Sequence, residues 1–209
     1  MVSFPRRAFL AGGAALLLVR EALAQGRSER GIYRVRGEVE VGGSPAREGA
    51  VVGPGETIRT GADGEIVFVV GRDAMLARRN TSLSLLADGL RVVTGAVLSV
   101  FATGERRQIR TETATIGIRG TAVYIEAEAD RTYACTCYGE ATLESVADPS
   151  ARETVRTRHH EQPRYIMSAG APQMLMQAPV INHTDAELIL LEGIVGRQPP
   201  FVGQGFRPY

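Results

Sequence analysis

Between Tyr33 and about Leu143 the apolar residues return at every second position, the period of a strand with one buried face rather than the 3.6-residue period of a helix. Val35, Val39 and Val41 open the pattern. Glu65-Ile66-Val67-Phe68-Val69-Val70, Leu83-Ser84-Leu85, Leu90-Arg91-Val92-Val93 and Ala96-Val97-Leu98-Ser99-Val100-Phe101 continue it, followed by Ala122-Val123-Tyr124-Ile125-Glu126 and Thr132-Tyr133-Ala134-Cys135. Turn formers stand between the runs, as at Gly53-Pro54-Gly55, Ala62-Asp63-Gly64, Gly71-Arg72-Asp73 and Ala87-Asp88-Gly89. Short strands without intervening helices predict an all-β fold: a sandwich, a barrel or a twisted β-solenoid.

The 209 residues are 44% hydrophobic and 22% charged, the balance of an ordinary globular chain. Twenty-four basic and 23 acidic side chains give a formal charge of +1, so no bulk field draws the chain to nucleic acid. Every basic residue is arginine, which removes Schiff-base lysine chemistry. Residues 1–24 read as an export signal: Arg6-Arg7 ahead of Phe9-Leu10, an apolar run from Ala8 to Val19, then Ala22-Leu23-Ala24 as an A-x-A cleavage site. The run is too short for the roughly 20 residues a spanning helix needs. Its paired arginines and Gly/Ala-diluted core resemble a twin-arginine signal. Cleavage after Ala24 removes Arg6, Arg7, Arg20 and Glu21, turning +1 into −1.

Two stretches carry a family resemblance. Gly55-Glu56-Thr57-Ile58-Arg59-Thr60-Gly61-Ala62-Asp63-Gly64 resembles the G-D-x-I-x-T-G-x-x-G opening of the FecR domain, with Glu56 in place of the usual Asp. Ile109 to Tyr124, containing Arg119-Gly120-Thr121, is similar to that family's V-x-T-P-x-A-x-x-x-V-R-G-T-x-F signature. The resemblance covers about 33–145 and implies a twisted, solenoid-like or sandwich-like β-domain on the outer side of a bacterial inner membrane. Sigma-regulating members place it behind a transmembrane helix and a cytoplasmic segment. This sequence shows neither pattern, so the expectation is a free-standing periplasmic module. Gly120 is expected at a corner and Thr121 at the start of the next strand.

Residues 146–209 read as a C-terminal extension. Thr154-Val155-Arg156-Thr157-Arg158 alternates like an edge strand. Residues 163–182 are apolar but broken by Pro163, Pro172 and Pro179, which predicts an irregular layer, with Met174, Leu175 and Met176 packed on the core. Thr184-Asp185-Ala186-Glu187 is a capping box, so one short helix is expected near 185–195, with Leu188, Leu191 and Val195 inward and Gly196 ending it. The tail beyond Pro199 is expected to lie on the surface without regular structure.

The two cysteines and three histidines all fall between 135 and 183. Cys135 and Cys137, at i and i+2, share one strand face; His159-His160 follow, and His183 precedes the capped helix. Two thiolates with imidazoles suit a tetrahedral zinc site or a copper site. The same residues allow a Cys135–Cys137 disulfide with structural histidines, although i and i+2 on a strand stand about 6.6 Å apart at Cα, near the upper limit for that bond. Free buried thiols are the third reading. The 163–182 layer is too apolar for solvent and too proline-broken for a core of its own, so the segment from Pro163 to Val195 is expected to fold back and bring His183 to the strand carrying the cysteines. The acidic residues are expected on solvated strand faces. No dinucleotide fingerprint, phosphate loop or nucleophile elbow is present. The expectation is therefore a non-enzymatic binding, sensing or scaffold module whose partner is an envelope protein or a small ligand, or else a small metalloprotein using Cys135, Cys137, His159, His160 and His183.

Overall fold

The computed structural model describes residues 31–207 and 209; the export signal expected at 1–24 lies outside them. The strands are β1 (Gly31–Arg36), β2 (Val39–Val41), β3 (Ser44–Pro45), β4 (Thr57–Thr60), β5 (Glu65–Val70), β6 (Asp73–Ala77), β7 (Ser82–Leu86), β8 (Gly89–Val100), β9 (Arg106–Arg110), β10 (Ala114–Ala127), β11 (Arg131–Ser145), β12 (Arg152–Thr157), β13 (Arg164–Met167) and β14 (Leu175–Gln177). One helix, α1 (Asp185–Ile194), follows. The chain is all-β, an open, twisted sheet in the order β14-β13-β11-β10-β9-β8-β7-β4-β2-β3, with β1, β5 and β6 joined through β8 and β12 on β11. Pairing is antiparallel except between β8 and β9. No described helix is long and apolar enough to cross a membrane.

The sheet bends once, and that bend positions everything downstream. The first half of β10 pairs with β9 and the second half with β8; the β10–β11 ladder shifts register twice there, with an extra residue on β10 between Arg119 and Ala122 and an extra residue, Cys137, on β11 opposite Ala122 and Val123. Gly120 sits in the bulge at φ +52, where a Cβ would lie 2.6 Å from Thr103 Cγ2 and 2.9 Å from Thr103 Cα. Opposite it on β11, Gly139 has φ +91, and a Cβ there would meet Thr121 Oγ1 at 2.5 Å. Only glycine tolerates both the dihedral and the approach. Each extra residue reverses which side chains of its own strand face which side. Past the bend Ala141 and Leu143 join the main core with Ile116 and Ile118. Before it Tyr133, Cys135 and Cys137 face the other way, into a second cluster with Val67, Val69, Leu76, Leu98, Val100 and Tyr124. The corner expected at Gly120 is thus a bulge inside one continuous strand.

The second cluster is covered by the C-terminal extension. Leu188 and Leu191 of α1 and Phe201 of the tail lie over it. The helix begins on the expected capping box: Thr184 Oγ1 accepts from Glu187 N, and the Glu187 carboxylate accepts from Thr184 N. It ends at Val195 with Gly196 at φ +71 and Arg197 N donating to Glu192 O at 2.8 Å, a Schellman closure.

Two expectations need correction. Residues 163–182 contain β13 and β14, because Pro163 and Pro179 flank these strands and Pro172 falls between them, leaving every ladder N–H in place. Leu175 packs against the main core, but Met176 is exposed. The tail has no strand or helix, as expected, but Phe201 is buried.

Candidate metal centre

Four of the five expected ligands converge. Cys135 and Cys137 come from the β11 face turned to the second cluster, and His160 and His183 come from the extension; their ligand atoms all lie within 4.8 Å of one another. The relative exposures of Cys135, Cys137, His160 and His183 are 0%, 0%, 1% and 4%. The main-chain bond from His160 N to Cys137 O, 2.9 Å, ties the bend after β12 to β11. His160 itself sits at φ +59, a left-handed conformation uncommon away from glycine, which turns its ring inward. His183 lies between Asn182, at φ +55, and the N-cap Thr184, and its ring stacks on Tyr124 at 4.6 Å between centroids.

Cys135 Sγ stands 3.5 Å from His160 Nδ1, and His160 Nδ1 stands 2.9 Å from His183 Nε2. The outer nitrogens are taken: His160 Nε2 meets Asp185 Oδ1 at 3.1 Å, and His183 Nδ1 meets Ile181 O at 2.6 Å. A carbonyl or carboxylate oxygen only accepts, so each outer nitrogen carries the ring proton. In neutral rings, His160 Nδ1 and His183 Nε2 therefore present lone pairs to one another in a buried space. Metal-bound histidines show this arrangement, with the second nitrogen oriented by a carboxylate or a backbone carbonyl. Tetrahedral zinc, with Zn–N of about 2.0–2.1 Å and Zn–S of about 2.3 Å, sets N to S near 3.5 Å and N to N near 3.3 Å. The sulfur–nitrogen distance already fits. The two imidazoles need to part by about 0.4 Å.

The thiols differ. The neighbouring Cys137 side chain, and after it the His160 and His183 rings when a proton sits between them, hold Cys135 well below the ordinary thiol range against the effect of burial. Burial, reinforced by Cys135, pushes Cys137 well above it. Cys135 is thus the first sulfur to ionise. Both are free thiols in the structure, unlike in the disulfide reading.

His159 departs from the expected set. Its Nε2 donates to Asp185 Oδ1 and Oδ2 at 2.9 and 3.0 Å, and its ring stacks on Phe206 with Phe201 and Tyr209 beside it. Both adjacent rings reach Asp185 Oδ1, and His159, His160 and Asp185 form a second group of potential ligands within 4.8 Å of one another, while His160 also turns its other nitrogen to the cysteines.

The acidic residues also need correction, since Asp73, Asp185 and Glu192 are buried rather than on solvated faces. Asp73 accepts from Ala102 N and Arg107 Nε; Glu192 accepts from Tyr138 Oη at 2.5 Å and from Arg197 Nε. Asp185, read in sequence only as part of a capping box, orients both histidines and accepts from Tyr209 N. Its spacing of two from His183 was a signal, hidden by its ordinary role in a first helical turn.

No family model matches the sequence. No curated protein matches it either. Two crystal structures of a "putative anti-sigma factor" from Parabacteroides distasonis are similar in structure, each at 10% identity. One has a TM-score of 0.50 over 66% of this chain and 65% of its own, the other 0.48 over 58% of each. The chain spans less than two thirds of the length of either. The likeness at 0.50 is one of fold.

Proposed function

We propose that this chain is an exported, non-enzymatic binding, sensing or scaffold module, with a FecR-like β-domain over 33–145 and an extension over 146–209 that completes a closed site for one zinc or copper ion. The two sequence stretches around Gly55 and Arg119-Gly120-Thr121, the β-fold and the leader at 1–24 support the periplasmic module. One observation carries the metal: two imidazole lone pairs face each other at 2.9 Å, each fixed by the hydrogen bond on its far nitrogen. A cation between them resolves this, either a shared proton or a metal ion. Two sulfurs within ligand reach favour the metal. Four protein ligands without an open position describe a structural site rather than a catalytic one.

A second reading has its own observation. Cys135, His160 and Asp185 form a nucleophile–base–carboxylate relay with contacts of 3.5 and 3.1 Å. The sulfur, however, is 0% exposed, and His183 occupies the far side of the imidazole.

The test is metal analysis of protein purified from the periplasm of the cell that makes it, with mass spectrometry of its N-terminus. About one equivalent of zinc or copper and a chain starting at Gln25 are expected. Less than about a tenth of an equivalent sinks the metal centre, and rapid alkylation of Cys135 in the folded protein establishes the relay instead. A retained leader refutes export.

A further inference from the structure

Resting on that metal reading, we propose that the site takes a divalent ion of the zinc type and that the ion is a clasp, pinning the bend at Arg158–His160 and the segment from Pro179 onward over the second face of the sheet. The charge balance selects the ion class. Two thiolates and two neutral imidazoles cancel a 2+ charge, so the buried centre is neutral, whereas a monovalent ion leaves a net negative charge beside the Asp185 carboxylate. Binding to the two thiols releases two protons, and nothing is oxidised or reduced.

The clasp follows from where the ligands come from. Cys135 and Cys137 lie on β11, hydrogen-bonded to β10 along its length. His160 and His183 lie outside regular structure: His160 N donates to Cys137 O, and the stretch before His183 is tied to the sheet by Tyr133 Oη, which donates to Pro179 O and accepts from Ile181 N, and by Asn182, whose carbonyl accepts from Arg78 and whose Nδ2 donates to Glu126. Two ligands are therefore fixed and two are carried by the cover. Without the ion, a single shared proton is left between the two imidazoles in place of four metal–ligand bonds, so the tie between β11 and the cover weakens and the cover, not β11, is the side that moves away. Leu188, Leu191 and Phe201 then lose their seat over Val67, Leu76, Leu98 and Val100.

The experiment uses the full exported chain, loaded with zinc or stripped by a chelator, and limited trypsin digestion read site by site. With no lysine present, trypsin cuts only at arginine. Arg158 and Arg197 report on the cover; Arg91 and Arg110, in β8 and β9, and Arg164, in β13, report on the sheet. With free zinc at about 100 times the dissociation constant, the open population falls about 100-fold, so cleavage at the cover sites slows by that factor. Cleavage at Arg91, Arg110 and Arg164 should stay within about twofold, and zinc added back should restore protection. His183→Ala in the presence of zinc should digest like the stripped wild type, with hydrogen exchange in β8 and β10 showing that the sheet is intact. If zinc binds at one equivalent and the cover sites do not change, the clasp is wrong and the metal site stands. If all sites accelerate together, the cover is not a separate unit and the clasp is likewise wrong. If no zinc binds, the metal reading itself falls.

Discussion

Replacing Gly120 by alanine puts a Cβ where the bend of β10 leaves no room. At φ +52 the left-handed dihedral alone costs about 1 to 2 kcal/mol for a residue with a side chain. The new methyl also meets Thr103, with Cγ2 at 2.6 Å and the main-chain Cα at 2.9 Å. Relieving such overpacking costs about 1 to 3 kcal/mol, because a backbone atom cannot rotate away as a side chain can. The sum is about 3 kcal/mol, a large part of a domain's margin of about 5 to 15 kcal/mol. Gly104→Ala separates the two contributions: Gly104 has φ +92 and nothing within 4 Å of its Cβ position, so it incurs the dihedral cost without the clash. Urea titration of both variants, with unchanged slopes, should place Gly120→Ala below Gly104→Ala by about 2 kcal/mol. Because the bulge at Gly120 adjoins the register shift at Cys137 on the paired strand, the residual folded Gly120→Ala should bind zinc more weakly than wild type, while Gly104→Ala should not. Equal stability of the two variants would show that the bend is not held by the contact with Thr103.

Other outcomes follow from the same geometry. Asp185→Asn keeps the shape but removes the anion that orients His160, and should weaken zinc binding about 10- to 100-fold, as read by competition with a chelator. His159→Ala should retain one equivalent of zinc while Cys137→Ser does not; equal loss in both would return His159 to the ligand set. Leu191→Ala empties a fully buried position over the second cluster and should cost about 2 to 5 kcal/mol in urea unfolding, against less than about 0.5 kcal/mol for the half-exposed Ile189→Ala.

Much of the architecture was legible because its signals are local. The two-residue alternation and the Ala62-Asp63-Gly64 type of turn depend on neighbours a few positions apart, and they foretold an all-β chain. Thr184 and Glu187 are three residues apart, so the start of α1 was visible as a capping box. The concentration of cysteine and histidine between 135 and 183 marked residues whose side chains converge in the fold.

What the sequence could not decide depends on register across long separations. Cys135 and His160 are 25 residues apart, and Tyr138 and Glu192 are 54 apart. Which of them meet is set by two extra residues at the bend, one on β10 beside Gly120 and Cys137 on β11, each of which reverses the facing of the side chains beyond it on its own strand. Periodicity alone cannot reveal that reversal, because alternation looks the same on either face. His159 and His160 were equivalent in sequence until the left-handed backbone at His160 turned one ring toward the sulfurs and left the other to Asp185. Strands β13 and β14 escaped notice because prolines forbid a helix without forbidding short ladders between them. Local chemistry determined the elements; only the folded sheet, by bringing the cover onto one face, brought the ligands together.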